Sequence, residues 1–297
     1  MFHSLTNQAE SIIILNPAAK GERAAERQDR LAELLPKAEV ITTSGPGDAT
    51  RITREAVSAG VKRVIAAGGD GTVNEVVNGI DGSGATLGIL PIGSVNVFAM
   101  ELKLPMDLEK AAQLLSGEAE SVTKEVDLLQ ANDRYFVQLA GVGFDAETVR
   151  QTDSEMKKIF GPLSYVFSCA QVAGRPHQPL KVTTDEGIEE EGTFLLIGNG
   201  RFYGGPFRFF PDAKLDDGTL DVCLFKKLTH FDLLRYFRGA LTFGAHTRFP
   251  DVHYFKTTSL SVRTSAEVPF EVDGELQGVC PVEFKVNPGA LKVVAPV

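Results

Sequence analysis

The residues best suited to chemistry stand between Gly68 and Asn74, where Gly68-Gly69-Asp70-Gly71-Thr72-Val73-Asn74 joins an apolar run to a helical one. Ahead of it, Val61-Lys62-Arg63-Val64-Ile65-Ala66-Ala67 reads as a buried parallel strand. Gly68, Gly69 and Gly71 give a backbone able to take positive φ and approach a ligand closely. From Thr72 onward Val73, Val76 and Val77 recur at helical spacing, so the turn presents a helix N-terminus whose amides point at an anion. The chemistry this suggests is phosphate binding, and with it a nucleotide.

The elements that must position this turn come in two textures. Up to about Asp127, strands at 11–15, 39–42, 61–67 and 86–90 alternate with helical stretches at 24–35, 49–59, 73–78 and 108–115, which predicts an N-terminal α/β domain with a mostly parallel sheet. Beyond it, short strands at 134–139, 180–184, 192–198, 220–225, 258–264, 270–272 and 282–286 predict a C-terminal antiparallel β-sandwich domain. Asp217-Gly218, Asp273-Gly274 and Pro288-Gly289 punctuate them as turns, and helices are expected at 162–172 and 231–242. The expected domains are 1–128 and 129–286, with the tail 287–297 able to return to the first, and a ligand cleft is expected between them.

Composition narrows the function. The chain has 297 residues, 43% of them hydrophobic, enough for two globular cores. Its net charge of -9 disfavours a nucleic-acid partner and whole-molecule attraction to anionic lipid, so any membrane contact must be local. Cys169, Cys223 and Cys280 are far apart, which fits neither a disulfide framework nor a zinc spacing and is expected of reduced thiols in a cytoplasmic protein. Residues 1–10 lack a signal-peptide pattern, and no apolar run approaches the roughly 18 residues of a membrane span.

The string from Gly68 to Gly79, GGDGTVNEVVNG, resembles the signature of the diacylglycerol kinase catalytic family, which includes bacterial soluble lipid kinases and the sphingosine and ceramide kinases. The similarity continues along almost the whole chain. Asn16-Pro17-Ala18-Ala19-Lys20-Gly21 is similar to the family's NPxxG-like loop, and Thr43 with Gly45-Pro46-Gly47-Asp48-Ala49 to its second nucleotide loop. Leu90 to Ala99 is similar to LPxGTxNDFA, and Gly141 to Ala146 to GxGFDA. Gly204-Gly205, Pro211-Asp212-Ala213, Asp216 to Val222 and Val272 to Glu275 complete the set.

What the resemblance implies is an ATP- and Mg²⁺-dependent kinase that passes the γ-phosphate to a hydroxyl of diacylglycerol or a related lipid. It assigns Asn16, Pro17, Lys20, Thr43, Gly68, Gly69, Asp70, Gly71, Thr72, Asn74, Gly93, Ser94 and Asn96 to the nucleotide. Asp70 is then the central carboxylate that orders the metal or its waters, against the plainer role of an Asx-type turn or helix cap. Glu275 is implied as the general base toward the lipid hydroxyl, against an ordinary surface acid after a hairpin turn that Asp273 helps to orient. The Asp216-Asp217-Gly218 loop is implied as a structural Mg²⁺ site, with the Asp217 carboxylate and the carbonyls of Lys214 and Thr219 as ligands; a simple β-turn is the alternative. Asp127 is expected in the network that links the domains.

One departure stands out: Val97 replaces the acid that many relatives carry after Asn96, whereas Ser94 for Thr keeps a hydroxyl. For lipid contact the candidates are the aromatic and arginine residues of 201–210 and Lys157-Lys158-Ile159-Phe160 leading into 163–172, although Phe207, Phe209 and Phe210 equally suit a sandwich core. The expected partners are ATP and a lipid met in transient peripheral contact with a membrane, with a homodimer left open. Two other readings stand beside this one. A soluble acceptor is compatible with the GGDGT loop, which NAD kinases and phosphofructokinases share, and a non-catalytic nucleotide or lipid sensor is compatible with Val97.

Overall fold

The computed structural model describes residues 10–17, 24–151 and 162–297. They form two compact units, one of Met1–Asp127 with Gly289–Val297 and one of Leu128–Pro288.

In the first unit five strands lie in the order Ala38–Thr42, Ser11–Leu15, Arg63–Gly68, Thr86–Pro91 and the end of Val282–Pro296. All are parallel: Ser11 stands opposite both Ala38 and Arg63, and Thr86 opposite both Arg63 and Lys292. Ile12 to Leu15 and Val64 to Ala67 are buried, as residues of a sheet covered on both faces must be. The strand expected at 282–286 instead continues to Pro296, because Leu291, Val293 and Ala295 are buried in this sheet.

Two helices pack where the sequence leaves no side chain. Asp48–Ser58 buries Ala49, Ile52 and Ala56, and Asp70–Ile80 buries Val73, Val76, Val77 and Ile80, each a helical stripe. A Cβ on Gly79 would fall 2.4 Å from Thr53 Cβ, so glycine sets how closely these helices approach. The second helix begins at Asp70, three residues before the valine pattern, since periodicity cannot register its polar first turn. A short helix, Val97–Glu101, was not legible either.

The second unit is an antiparallel sandwich. One sheet has the order Val252–Thr257, Leu220–Phe225, Phe194–Gly198, Leu139–Val142, Pro269–Val272 and Glu275–Val279. The other pairs residues 282–285 with Ser259–Thr264, then Leu180–Thr184 and Glu189–Gly192. Alternate residues of the central strands serve two cores. Leu195, Ile197, Val222 and Leu224 join Val182, Val262 and Phe284 in one core, while Phe194, Leu196, Cys223 and Phe225 join Tyr236 of helix His230–Leu241 in another. This explains why FLLIG, and LDVCLF apart from Asp221, are apolar on both faces. The expected helices at 162–172 and 231–242 appear as Pro162–Ala173 and His230–Leu241.

Candidate active site

Parallel strands place all their carboxyl ends at one edge of the sheet, and there the first unit gathers its motif residues. Asn16 follows the first strand and donates its amide nitrogen to the Ala67 carbonyl (3.0 Å). Its side-chain Nδ2 lies 3.1 Å from Thr72 Oγ1. Thr43 binds the Leu15 carbonyl through its backbone nitrogen at 2.9 Å. The Gly68 carbonyl accepts the amides of Ile92 and Gly93, each at 3.2 Å. A Cβ on Gly93 would fall 2.3 Å from Gly69 Cα, so only glycine permits the two loops to touch. Asn96, at φ 58°, closes its own loop by accepting the Gly93 amide (3.1 Å) and donating to the carbonyls of Pro91 (3.2 Å) and Gly93 (3.1 Å).

Thus Asn16, Thr43, Gly68 to Thr72, Gly93 and Asn96 come together, with half-buried Pro17 beside Asn16 and exposed Ser94 in the same loop as Gly93. Asn74 is buried beneath, its Oδ1 accepting Asn78 Nδ2 at 3.2 Å. Lys20 lies outside the described residues, as do Lys157, Lys158, Ile159 and Phe160. The amides opening helix Asp70–Ile80 have no side-chain cap from Gly69. They present partial positive charge toward the loop edge.

Of the two roles that its sequence left open, Asp70 shows the capping one, at a different helix from the one it begins. Its Oδ1 accepts the Phe98 amide at 3.3 Å, and the amides of Asn96 and Val97 also bind the carboxylate, so Asp70 caps helix Val97–Glu101 rather than its own. Burial raises its carboxyl above the ordinary aspartate value, and these amides only partly offset it. Val97 is buried with its side chain 5% exposed, filling the place of an acid with apolar volume.

A residue that the sequence reading passed over holds the second loop. Glu75 accepts the amides of Gly47 and Ala49, both at 3.0 Å, at the start of helix Asp48–Ser58. A carboxylate at a helix N-terminus contributes about 1 kcal/mol. The signal was present, since Glu75 belongs to the GGDGTVNEVVNG string, but its partners lie 26 and 28 residues away. Asp127 is buried and accepts the Gly289 amide at 2.9 Å, tying together the two segments where the chain leaves and re-enters this unit.

In the second unit, Asp273 (φ 47°) and Gly274 (φ 84°) form the tight turn between Pro269–Val272 and Glu275–Val279. The Asp273 carboxylate accepts the amides of Val137 (3.0 Å), Gln138 (3.0 Å) and Leu139 (3.1 Å). Each such charge-assisted bond contributes on the order of 2 kcal/mol. Glu275 follows this anchored turn; it is exposed, with Arg134 3.8 Å from its Oε2.

Behind the turn stand two buried carboxyl groups. Glu271 is fully buried and accepts the Gly274 amide at 2.7 Å, with Asp145 of the Gly141–Ala146 motif against it and Tyr203 donating to Asp145 Oδ1. Burial, reinforced by the Asp145 charge, pushes the Glu271 carboxyl well above the ordinary glutamate value.

The Asp217 loop is taken up within the chain. Asp217 Oδ1 accepts the Thr219 amide (3.2 Å) and hydroxyl (2.6 Å), while Oδ2 accepts Lys256 Nζ at 2.7 Å. Lys214 is exposed. No group of three His, Cys, Asp or Glu residues that could hold a metal ion occurs among the described residues.

The aromatics of 201–210 mostly serve the core: Tyr203, Phe209 and Phe210 are buried, and Phe207 is half-buried. Apart from the terminal Val297, the most exposed large apolar side chains among the described residues are Phe243, Phe231, Leu234 and Leu241, the last three on a helix that the sequence predicted. No described helix is long and apolar enough to cross a membrane.

Both units match known families. Residues 10–131 match the diacylglycerol kinase catalytic domain, and residues 138–295 match the YegS C-terminal NAD kinase beta sandwich-like domain. A diacylglycerol kinase of Staphylococcus carnosus is 33% identical over 288 residues, covering 92% of this chain and 90% of that protein. One from Bacillus subtilis is 32% identical over 289 residues, covering 92% and 91%. The crystal structure of a diacylglycerol kinase from Bacillus anthracis superposes with a TM-score of 0.80 at 29% identity, covering 97% of each chain. The chain belongs to the diacylglycerol kinase family. It is a kinase of a lipid kinase family, and that family implies ATP as the phosphate donor.

The Glu271 geometry gives a pH test. As pH rises above 4.5, the ordinary glutamate value, the unfolded chain releases a proton that the folded chain retains. Stability then falls by up to about 1.4 kcal/mol per pH unit until the folded group also ionises. Glu271→Gln can still accept the Gly274 amide and can donate to Asp145, so its stability should lack this slope. Urea unfolding from pH 5 to 8 should show the variant gaining on the wild type as pH rises; parallel curves would place the bound proton elsewhere.

Proposed function

We propose that the protein transfers the γ-phosphate of ATP to a hydroxyl of diacylglycerol or a related lipid. The observation that carries the reading is the convergence of Asn16, Thr43, Gly68 to Thr72, Gly93 and Asn96 at the carboxyl edge of one parallel sheet, on loops braced to one another. Helix amides at Gly69 to Thr72 would bind phosphate oxygens, and Asn16 and Thr43 would flank the nucleotide. A Mg²⁺ ion arriving with ATP would offset charge on the transferring phosphate, and the Asp70 carboxylate is the one group here that would serve it, since the backbone amides around Asp70 donate to that carboxylate and cannot ligate a cation. Asp70 would orient that ion or its waters. Its raised carboxyl would become fully ionised beside it.

Glu275 is the proposed base toward the acceptor hydroxyl. Its turn is held rigidly by Asp273 while its own carboxylate remains exposed, as a group that must meet a substrate requires. Phosphorylation of a panel of lipid and soluble acceptors should show preference for diacylglycerol. Asp70→Asn and Glu275→Gln should each lower kcat by roughly 10²-fold or more, with the second leaving ATP affinity nearly unchanged. Wild-type turnover by either folded variant would remove that residue's role, and preference for a soluble acceptor would remove the lipid assignment.

The lipid would be met through helix His230–Leu241. Phe231, Leu234 and Leu241, 72%, 69% and 58% exposed, form one stripe with exposed Arg238 among them and no acid. Phe243 extends it, with the Arg208 guanidinium 5.1 Å from its ring centroid. On a chain of net charge -9, an apolar stripe whose charges are arginines is complementary to an anionic bilayer surface. Phe231→Ser with Phe243→Ser should abolish cosedimentation with phosphatidylglycerol vesicles while leaving phosphorylation of a dispersed short-chain acceptor intact. Undiminished vesicle binding would exclude this face.

A further inference from the structure

Residues 211–221 fold around a positive charge that the chain itself supplies. Lys256 stands opposite Asp221 in the pairing of Val252–Thr257 with Leu220–Phe225. Its Nζ lies 2.7 Å from Asp217 Oδ2, 3.1 Å from the Asp212 carbonyl oxygen and 3.2 Å from Asp221 Oδ2. The ammonium donates to Asp217 Oδ2 and to the Asp212 carbonyl, and it stands in ion-pair contact with Asp221 Oδ2. The cage is completed around it: Thr219 occupies Asp217 Oδ1, and Tyr254 donates to Asp221 Oδ1. Asp221 is fully buried, so its carboxylate depends on these partners.

A Mg²⁺ ion requires about six oxygen ligands in near-octahedral array. Of the implied ligands, both Asp217 oxygens are already engaged, by Thr219 and by Lys256, and an ion on that carboxylate would face the Lys256 ammonium at contact distance. The donor set therefore does not fit a divalent ion. We infer that Lys256 Nζ is the resident cation of this loop, standing where the family resemblance led to a structural Mg²⁺, and that the loop is ordered without metal. Burial opposes the charge on Lys256, but its bonds to Asp217 and Asp221 outweigh burial and hold its proton above the ordinary lysine range. The inference is independent of the kinase assignment.

Thermal melts of the nucleotide-free protein in EDTA and in excess Mg²⁺ provide the test, since a metal that binds only the folded loop must raise Tm. Wild type and Asp217→Asn should respond equally to Mg²⁺, because any ion bound elsewhere stabilises both alike. In EDTA, Lys256→Met should melt below wild type, since the stem is kept and only the charge is lost. A Mg²⁺-induced rise larger in wild type than in Asp217→Asn overturns the proposal, as does a Lys256→Met protein that matches wild type in EDTA. The first comparison needs no folded Lys256→Met, so the inference stays decidable if that variant does not fold.

Discussion

Gly69 and Gly93 bring two loops of the first unit into backbone contact, and the geometry at the carboxyl edge of the parallel sheet depends on that closeness. With a Cβ at Gly93 the strand ends could not approach, and the Gly68 carbonyl would lose the amides of Ile92 and Gly93. Asn96 would then have no loop to brace, and Asp70 would stand too far from the amides of helix Val97–Glu101 to cap it. A steric allowance of a few ångströms therefore determines where a carboxylate sits and what environment shifts its titration.

The second unit reaches rigidity by a different route. Its tight turn is fastened by buried and half-buried acids: Asp273 to three amides, and Glu271 to the Gly274 amide with Asp145 behind it. Desolvating so much carboxylate is costly unless each oxygen is paired or a proton is retained. Burial and the Asp145 charge raise the Glu271 carboxyl well above the ordinary glutamate value, and the exposed Glu275 follows a turn held by polar bonds. Position is secured here through carboxyl groups rather than through apolar packing.

Much of this architecture was legible in the residues. Valine spacing gave the body of helix Asp70–Ile80, apolar runs gave the central strands of both units, and Asp-Gly pairs gave the turns. The glycine turn after residues 61–67 stood out by itself, and the other residues at this sheet edge were singled out by the resemblance to a family. What escaped was long-range polar pairing. Glu75 reads as a helix-surface acid until its amide partners at Gly47 and Ala49 are known, and Lys256, in a strand the sequence reading did not expect, gains its meaning only when Asp217, 39 residues away, is seen against it. Helix Val97–Glu101 has only five residues, too few for a period to show. Phe231 and Leu234 could be assigned to solvent only once the opposite face of their helix, with Tyr236 and Ala240, was known to fill the core.

The strand Val282–Pro296 has a consequence for how the molecule is made. Its first residues pair within the sandwich, while Lys292 and Val293 complete the parallel sheet beside Thr86 and Leu87. A ribosome delivers the other four strands of that sheet early, then must finish all of Leu128–Pro288 before the fifth can be added. Domains released in order usually fold in order. In this chain the first unit to emerge is the last to be completed, and during synthesis its unpaired strand edge at Thr86–Pro91 is exposed to whatever else in the cell can add a strand.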